Sequence, residues 1–262
     1  MALADAGVLE VSLLGQNVNS YGTDLPGHRQ LFGDLLRALD GVEGLERLRF
    51  TSPNPKDFRD DVVEAMATCR PLCEHVHFPL QSGSDRVLRL MRRGYRRRRY
   101  LEILAGLRAA IPGVAFSTDI IVGFPGETDA EFEALLEFLD EAQLDRVGAF
   151  AYSPVTGAAA NALPDPVPEA VKQARLARFM ERQAAISEAR LAAKVGSVQQ
   201  VLVDAIDGEL AIARSMADAP EIDGLVQVQD GREAGLQPGD FAMVRIMGSD
   251  EHDLYGEVAY NE

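Results

Sequence analysis

The sequence predicts an α/β protein in which an incomplete parallel β/α barrel precedes a small all-β barrel. Short apolar segments alternate with helical patterns up to residue 152, which is typical of parallel β/α units. A proline-rich segment, LPDPVPE (163–169), is followed by a helical pattern without Gly or Pro at residues 170–193. After Lys194 the pattern changes to short β-rich segments separated by turns, which predicts a barrel-type module.

The domain boundaries and the elements follow from these patterns. We expect an incomplete β/α barrel (1–168), a connecting helix (169–193) and a β-module (194–262). Parallel strands are predicted at residues 8–14, 47–51, 75–79, 115–122 and 147–152, with helices at 31–39, 60–67, 100–110 and 130–142. β-Rich segments of the module cover residues 198–206, 225–229, 241–247 and 254–259. Because parallel strands end at one edge, the polar loops that follow them are expected to form one site.

The loop after the fourth predicted strand, GFPGET (123–128), is one candidate binding element. Gly123 permits a positive φ or the close approach of a ligand. Backbone amides at the start of the next helix could bind a ligand carboxylate, or Glu127 could accept hydrogen bonds from a ligand's amine or hydroxyl groups. An ordinary strand-to-helix turn, with Thr128 or Asp129 as the helix cap, explains the same residues. The other polar loops at this edge favour ligand binding.

The segment MRRGYRRRRY (91–100) contains six arginines and two tyrosines. Arg92, Arg93 and Arg96 are candidate contacts to RNA or phosphate, because aromatic residues among arginines suit base stacking. The alternative is a solvated arginine-rich loop that leads into a helix.

The charge distribution favours a basic protein partner. The chain has a formal net charge of −15, which argues against non-specific nucleic-acid binding as its main activity. Residues 194–262 carry four Lys or Arg and 14 Asp or Glu, hence a net charge of −10. Within them, Asp218, Glu221 and Asp223 surround a proline in SMADAPEIDG (215–224), either as an exposed acidic loop or as a docking loop for a basic protein.

Two cysteines, Cys69 and Cys73, are too few for a disulfide framework or a four-thiolate metal site. A zinc site with His75 and His77 is disfavoured, because the period of a strand places both histidines on one face without tetrahedral geometry. No window approaches the roughly 18 apolar residues of a membrane span. The start of the chain lacks the pattern of a secretory signal, so no membrane association and a cytoplasmic location are expected.

Four segments of the first half resemble the radical-SAM methylthiotransferases that modify an adenosine beside the tRNA anticodon. They are LLGQNVNSYG (13–22), RFTSPNPKDF (49–58), CEHVHFPLQSGSDRVLRLMRRGY (73–95) and STDIIVGFPGET (117–128). Beyond residue 128, segments 137–187, 213–228 and 236–258 are similar to the group that modifies an aspartate of small-subunit ribosomal protein twelve. That group carries an acidic version of the terminal TRAM β-module.

The resemblance implies a radical-SAM β/α barrel that holds S-adenosylmethionine against a 4Fe–4S cluster at the strand ends. Gln16 would face the methionine end of S-adenosylmethionine, and Gln81 and Ser82 would lie near its ribose. The cofactor-binding residues implied in this way are Gln16, Gln81, Ser82, Ser117, Asp119, Gly123 and Glu127.

The sequence departs from the family at the cluster. The family binds it through a Cys-x3-Cys-x2-Cys loop, and this chain contains no such triplet, so neither metal ligands nor catalytic residues are assigned. The first barrel strand and the domain for a second cluster are likewise missing from this sequence, and we expect the chain alone to be inactive.

Three hypotheses of function remain open from the sequence. The first is methylthiolation of the ribosomal protein's aspartate, which the acidic module favours, and the second is methylthiolation of a tRNA adenosine. The third is a non-catalytic fragment that binds the substrate. The electron donor cannot be inferred from the residues.

Overall fold

The computed structural model describes residues 2–25 and 31–260. The chain forms two compact units, residues 1–183 and residues 184–262. In the described ranges, no helix is long and apolar enough to cross a membrane.

The first unit alternates strands and helices along the chain. Its strands are β1 (Glu10–Leu13), β2 (Arg47–Phe50), β3 (His75–His77), β4 (Ala115–Val122) and β5 (Arg146–Ala151). Its helices are α1 (Ala2–Asp5), α2 (Phe32–Asp40), α3 (Asp60–Thr68), α4 (Asp85–Leu90), α5 (Arg97–Ala110) and α6 (Asp129–Ala142). Helix α7 (Glu169–Ala192) begins in this unit and continues into the second.

The strands of the first unit are parallel and follow the chain order. β1 pairs with β2, and β3 pairs with β4, which pairs with β5. A parallel bridge between Leu48 and Leu72 joins the two groups just before β3 begins. The predicted parallel β/α architecture is therefore confirmed.

Strand β4 separates a helix-covered face from an open face. Phe116, Ile120 and Val122 are fully buried, and Phe116 lies under the guanidinium of Arg108 in α5. The alternate side chains of β4 point to the other face, where Asp119 and Ile121 remain partly accessible. We call this surface the open face; it comprises His75, His77, Ser117, Asp119, Ile121, Gly148 and Phe150.

The predicted elements of the first unit are all present, with shifts of a few residues at most of their ends. The strand at residues 115–122 was predicted residue for residue. Helix α4 was not predicted, because six residues are too short for a recognisable period; Ser84 starts it by accepting a hydrogen bond from the Val87 amide.

In the second unit, α7 leads into a closed five-stranded barrel with strand order β10-β8-β7-β6-β9. The strands are β6 (Val198–Asp207), β7 (Leu210–Arg214), β8 (Val226–Val228), β9 (Phe241–Ser249) and β10 (Leu254–Val258). Alternate residues form the core, among them Val201, Val203, Val244 and Ile246. The predicted all-β barrel is confirmed.

Strand β7 was not predicted, although the sequence contains its hairpin signal. Asp207 pairs with Leu210, so Gly208 and Glu209 form a two-residue turn between β6 and β7. Gly208 has φ +61°, as the first central position of a type II′ turn requires.

Candidate functional site

Four polar side chains on the open face form a connected network. His75 Nε2 lies 2.9 Å from Ser117 Oγ, and His77 Nδ1 lies 3.0 Å from the same oxygen. On its other side, His77 Nε2 lies 3.3 Å from Asp119 Oδ2. The parallel pairing of His77 with Ser117 brings these residues together. Both histidines therefore share one face, as the strand period predicted.

Asp119 has one carboxylate oxygen packed against Gly148 on the open face. Its side chain is 40% exposed. Gly148 lies opposite on β5, where a Cβ atom would stand only 2.9 Å from Asp119 Oδ1 and 3.6 Å from the Phe150 ring. The Phe150 side chain is 59% exposed. Glycine at position 148 leaves room for the Asp119 carboxylate, and the exposed carboxylate beside an accessible ring suits a small polar ligand.

Gln81 and Ser82 lie close to Asp119 in the loop after β3. The Gln81 amide donates to the Asp119 carbonyl at 2.9 Å, and the Ile121 amide donates to the Gln81 carbonyl at 3.0 Å. Gln81 is nearly buried and has φ +76°, a left-handed conformation that is uncommon for a residue other than glycine. The buried Ser82 hydroxyl accepts from the Ser84 amide at 3.2 Å.

Gln16 lies in the exposed loop after β1. Its neighbour Asn17 holds this loop against the loop after β2, because Asn17 Nδ2 donates to Asp57 Oδ2 at 2.9 Å. A cavity of about 540 Å³ at the end of β1 is lined by Leu13, Asn17, Phe32 and neighbouring residues. Its lining includes neither Gln16 nor residues of the Asp119 network.

The GFPGET turn (123–128) is stabilised by groups of the protein itself. The Gly123 amide donates to Glu127 Oε1 at 2.9 Å, and Arg175 Nη1 donates to the same oxygen at 2.7 Å. Gly123 has φ +69°, and a Cβ there would overlap the Lys172 side chain. Burial raises the pKa of Glu127, although the Gly123 amide and Arg175 act in the opposite direction.

The Gly126 and Thr128 amides of the GFPGET turn are also occupied. The Gly126 amide donates to the Asp165 carbonyl at 2.8 Å. Thr128 and Glu131 form a capping box, in which the Thr128 amide donates to Glu131 Oε2 at 3.0 Å. Binding of a ligand to these donors, or to Glu127, would require the turn to exchange its internal hydrogen bonds.

The structure contradicts the predicted base-stacking role of the tyrosines in the arginine-rich segment. Tyr95 and Tyr100 are buried, and their hydroxyls donate to the carbonyls of Pro79 and Phe78, both at 2.7 Å. Burial raises the pKa of Tyr95 to about 12. The prediction that Tyr95 and Tyr100 lie at the surface was wrong, because it followed from the six arginines around them.

Several arginines of the segment bind protein groups. Arg96 Nη1 donates to the carbonyl of Arg93 at 3.0 Å, and Arg97 pairs with Glu141 at 2.6 Å. Arg92 is exposed and has φ +57°.

The acidic loop of the second unit uses two of its three predicted docking residues internally. Asp218 is buried and accepts from the Ser215 hydroxyl at 2.6 Å. Asp223 accepts from the Ala219 amide at 2.9 Å. Glu221 is exposed, next to Ile222, whose side chain is 83% exposed.

The described residues do not fit an iron–sulfur cluster. Cys69 and Cys73 are both buried, and burial raises the pKa of the Cys69 thiol. Across the described ranges there is no group of three or more His, Cys, Asp or Glu residues that could hold a metal ion.

Two family models match the chain. Residues 1–139, more than half of the chain, match the radical SAM superfamily, and residues 195–259 match the TRAM domain. The chain therefore belongs to the radical SAM superfamily. Its second unit carries the TRAM-type barrel.

Within this superfamily, the chain is similar to relatives that share one particular name. The chain is 52% identical to the ribosomal protein uS12 methylthiotransferase RimO of Xanthomonas campestris pv. campestris (strain 8004), over 97% of the chain and 57% of the relative. It is 50% identical to the protein of the same name from Stenotrophomonas maltophilia (strain R551-3), over 97% of the chain and 58% of the relative. The chain thus spans little more than half the length of these curated relatives.

Solved structures resemble the chain more distantly. Coproporphyrinogen III oxidase of Escherichia coli, a radical SAM enzyme, has a TM-score of 0.48 and 16% sequence identity, with coverage of 76% of this chain and 50% of that chain.

Sequence patterns did not predict that His75, His77, Gly148 and Phe150 lie together with Ser117 and Asp119 on the open face. His75 and His77 were considered only as metal ligands, and Gly148 and Phe150 were not singled out. The signal was present in part, because alternation along strands 75–79 and 147–152 places each pair on one face. The contact to Ser117 and Asp119 depends on the pairing of β3 with β4, which local patterns do not reveal.

Proposed function

We propose that this chain forms the cofactor-binding and partner-binding part of a methylthiotransferase that modifies ribosomal protein uS12. The reaction converts a C–H bond of an aspartate into C–SCH3. One observation carries the proposal: identity of 52% to a relative named for that activity extends over 97% of the chain. The similarity therefore includes both units, which would be expected if the cofactor and partner surfaces were kept together.

S-adenosylmethionine would be bound at the ends of β3 and β4, and it would supply the methyl group and the source of the radical. Asp119 would accept a hydrogen bond from the cofactor, because its carboxylate is 40% exposed on the open face. Gln81, Ser82 and Ser117 border the same region. Gln16 would complete the site from the loop after β1. No role is assigned to an iron–sulfur cluster, because the described residues do not fit one.

The charge of the second unit supports a basic protein partner over RNA. Residues 194–262 carry a net charge of −10, which attracts a basic ribosomal protein and repels a phosphate backbone. Glu221 and Asp223 would contribute to this surface, and buried Asp218 would shape the loop. The tRNA alternative would rest on Arg92, Arg93 and Arg96, and it loses the support of the two buried tyrosines.

A chimera tests the function, since the chain matches only part of its relatives. This chain replaces the matched region of the Xanthomonas campestris relative, and the reconstituted chimera is incubated anaerobically with S-adenosylmethionine, a reductant and uS12. Mass spectrometry of uS12 is expected to detect one methylthio group on an aspartate. The unaltered relative is the positive control, and the isolated chain is expected to give no product.

Two parallel measurements decide between the alternatives. Methylthioadenosine in tRNA, with unmodified uS12, would establish the tRNA substrate instead. If neither product forms but the isolated chain retains uS12 in a salt-sensitive manner, the chain is a binding module without this chemistry. If the chimera neither modifies nor binds uS12, the proposed function is wrong.

A further inference from the structure

Three basic side chains lie together where the loop after β2 meets the segment between α4 and α5. A Cβ atom added at Gly94 would stand 3.0 Å from Lys56 Cδ, so the Lys56 side chain packs along the backbone of Gly94. Arg92 and Arg93 precede Gly94 in the chain, which places their Cα atoms within about 8 Å of its own. We call Lys56, Arg92 and Arg93 the basic surface.

The basic surface forms no ion pair within the part of the chain that the structure describes. All three of its residues are exposed or partly exposed. Arg97, only a few residues further along, pairs instead with Glu141 at 2.6 Å. Asp57 is adjacent to Lys56 in the chain, but its carboxylate accepts a hydrogen bond from Asn17 Nδ2 at 2.9 Å. The charges of the basic surface therefore remain free for a partner.

The segment that carries the two arginines is anchored beside the candidate cofactor site. The Tyr95 hydroxyl donates to the carbonyls of Pro79 and Leu80, at 2.7 and 3.1 Å. Gln81, the next residue, donates from its amide to the Asp119 carbonyl at 2.9 Å. The loops after β2 and β3 both leave the carboxyl ends of parallel strands, so the basic surface lies at the same edge as this site. A macromolecular substrate that reaches Asp119 can therefore also contact the basic surface.

The chemistry of the basic surface suits phosphate groups. A guanidinium binds a phosphate through two parallel N–H donors, and a lysine ammonium binds it as a point charge. Residues 1–193 carry a net charge of −5, since residues 194–262 account for −10 of the total of −15. A positive surface on an acidic chain attracts a polyanion locally, whereas the surrounding negative charge opposes non-specific binding elsewhere. Because Tyr95 and Tyr100 are buried, they supply no base stacking, and a phosphate backbone is the better match.

We propose that the basic surface binds the phosphate backbone of ribosomal RNA beside uS12, an inference that rests on the proposed function for the identity of the RNA. The acidic second unit suits a basic ribosomal protein, and the basic surface of the first unit suits the RNA that accompanies this protein in a ribosomal subunit. The preferred substrate is then uS12 assembled with RNA. Phosphate contacts orient the chain on this substrate without reading a sequence.

Removal of the three charges tests the basic surface in the full 262-residue chain. The variant K56Q/R92Q/R93Q is compared with R98Q/R182Q/R232Q, which loses the same net charge at exposed arginines that pair with acids elsewhere. Urea denaturation checks that both triple variants remain folded. Binding to small ribosomal subunits is then measured by co-sedimentation over a series of salt concentrations.

The affinity of K56Q/R92Q/R93Q for the small subunit should fall at least about tenfold at low salt. Its slope of log affinity against log salt should decrease by about 2, because each phosphate contact contributes about 0.7–0.9 to that slope. The control variant should stay within about threefold of the wild-type chain, since distant exposed charges are screened. Equal binding of the two triple variants to the small subunit would overturn the inference.

Three further probes separate the possible partners. Free uS12 should bind the wild-type chain and both triple variants alike, because the acidic second unit carries that contact. Small-subunit RNA freed of protein should lose affinity for K56Q/R92Q/R93Q, as the intact subunit does. We expect tRNA to bind the wild-type chain more weakly than the subunit does. Tighter binding of tRNA through the same three residues would assign the basic surface to the tRNA alternative and contradict ribosomal RNA.

Failure of the basic surface and failure of the proposed function give different results. If the wild-type chain binds free uS12 but the two triple variants bind small subunits equally, the proposed function stands and the basic surface has no role. If the wild-type chain binds small-subunit RNA through the three residues but retains no uS12, the basic surface stands as an RNA site and the proposed function is wrong.

Discussion

The GFPGET turn and the open face meet along a single strand, β4, but they use their polar groups differently. In the turn, the Gly123 and Thr128 amides bind carboxylates of the chain itself, at 2.9 and 3.0 Å. On the open face, the Asp119 carboxylate contacts His77 through Oδ2, packs against Gly148 through Oδ1 and remains 40% exposed. The polar groups of the more conspicuous motif therefore bind within the protein, whereas the side chain of a less conspicuous aspartate remains partly exposed.

Removing the Glu127 carboxylate should have the largest effect on stability. Arg175 is 7% exposed at its side chain, and E127A leaves this charge buried without its main partner. We expect the free energy of unfolding to fall by about 3–5 kcal/mol, measured by urea denaturation. D129A is the matched control, because Asp129 also pairs with Arg175 but is 92% exposed; it should cost less than about 1 kcal/mol. Equal losses would show that the turn does not depend on the buried pair.

Adding a side chain at Gly123 should have the next largest effect. G123A forces alanine into φ +69° and drives its Cβ into Lys172, so a loss of about 2–3 kcal/mol is expected. G113A is the control, because Gly113 has φ +96° and a Cβ atom added there would meet no atom within 4 Å. That variant reports the conformational cost alone, about 1 kcal/mol. A double variant with K172A should recover part of the difference, and no recovery would exclude the steric explanation.

Two glutamates, Glu127 in the turn and Glu131 in the helix after it, have pKa values that are shifted in opposite directions. Replacing Glu131 should change the stability less than the preceding variants do, and the change should depend on pH. Although burial acts to raise it, hydrogen bonds from Arg86, the Thr128 amide and Ser84 lower the pKa of Glu131 to about 2. Its contribution to stability is therefore present above the ordinary glutamate pKa of about 4.5 and is lost as the pH falls towards 2.

E131Q tests this sign. At pH 7 the variant should lose about 1–2 kcal/mol, because an N-terminal capping contact and a charge-assisted hydrogen bond are weakened. The difference from the wild-type chain should shrink as the pH approaches 2, as measured by thermal unfolding over a pH series. For Glu127, whose pKa is raised, the sign is reversed: its ionisation penalty is absent below the ordinary glutamate pKa and grows as the pH rises through the raised value. A constant loss in E131Q would contradict the lowered pKa.

The sequence predicted most of the fold because strands and helices are encoded in local periods. Strand 115–122 has apolar residues before and after its polar residues, so both ends of the strand can be recognised in the sequence. The accessible site was less predictable, since the contacts of His77 depend on the register of β3 against β4. Glu127 was predicted to bind a ligand from its place in the loop, and its partner Arg175 lies 48 residues away in the chain. Long-range pairing thus decides which polar groups remain accessible.

Replacing Asp119 by asparagine should give the smallest change in stability and a large change in ligand binding. The side chain is 40% exposed and its contact to His77 is 3.3 Å, so D119N should alter the free energy of unfolding by less than about 1 kcal/mol. The amide keeps the shape of the carboxylate but loses its charge. Affinity for S-adenosylhomocysteine should therefore fall about tenfold or more, as a charged hydrogen bond contributes about 1.5–3 kcal/mol.

The corresponding change in the turn completes the comparison. E127Q keeps an oxygen for the Gly123 amide, so it should lower stability more than D119N while leaving the affinity of the remaining folded protein nearly unchanged. Both variants are measured by calorimetry at a temperature where they are fully folded. If E127Q abolishes binding and D119N does not, the ligand is held by the GFPGET turn. The turn would then be the binding element, and Asp119 on the open face would not.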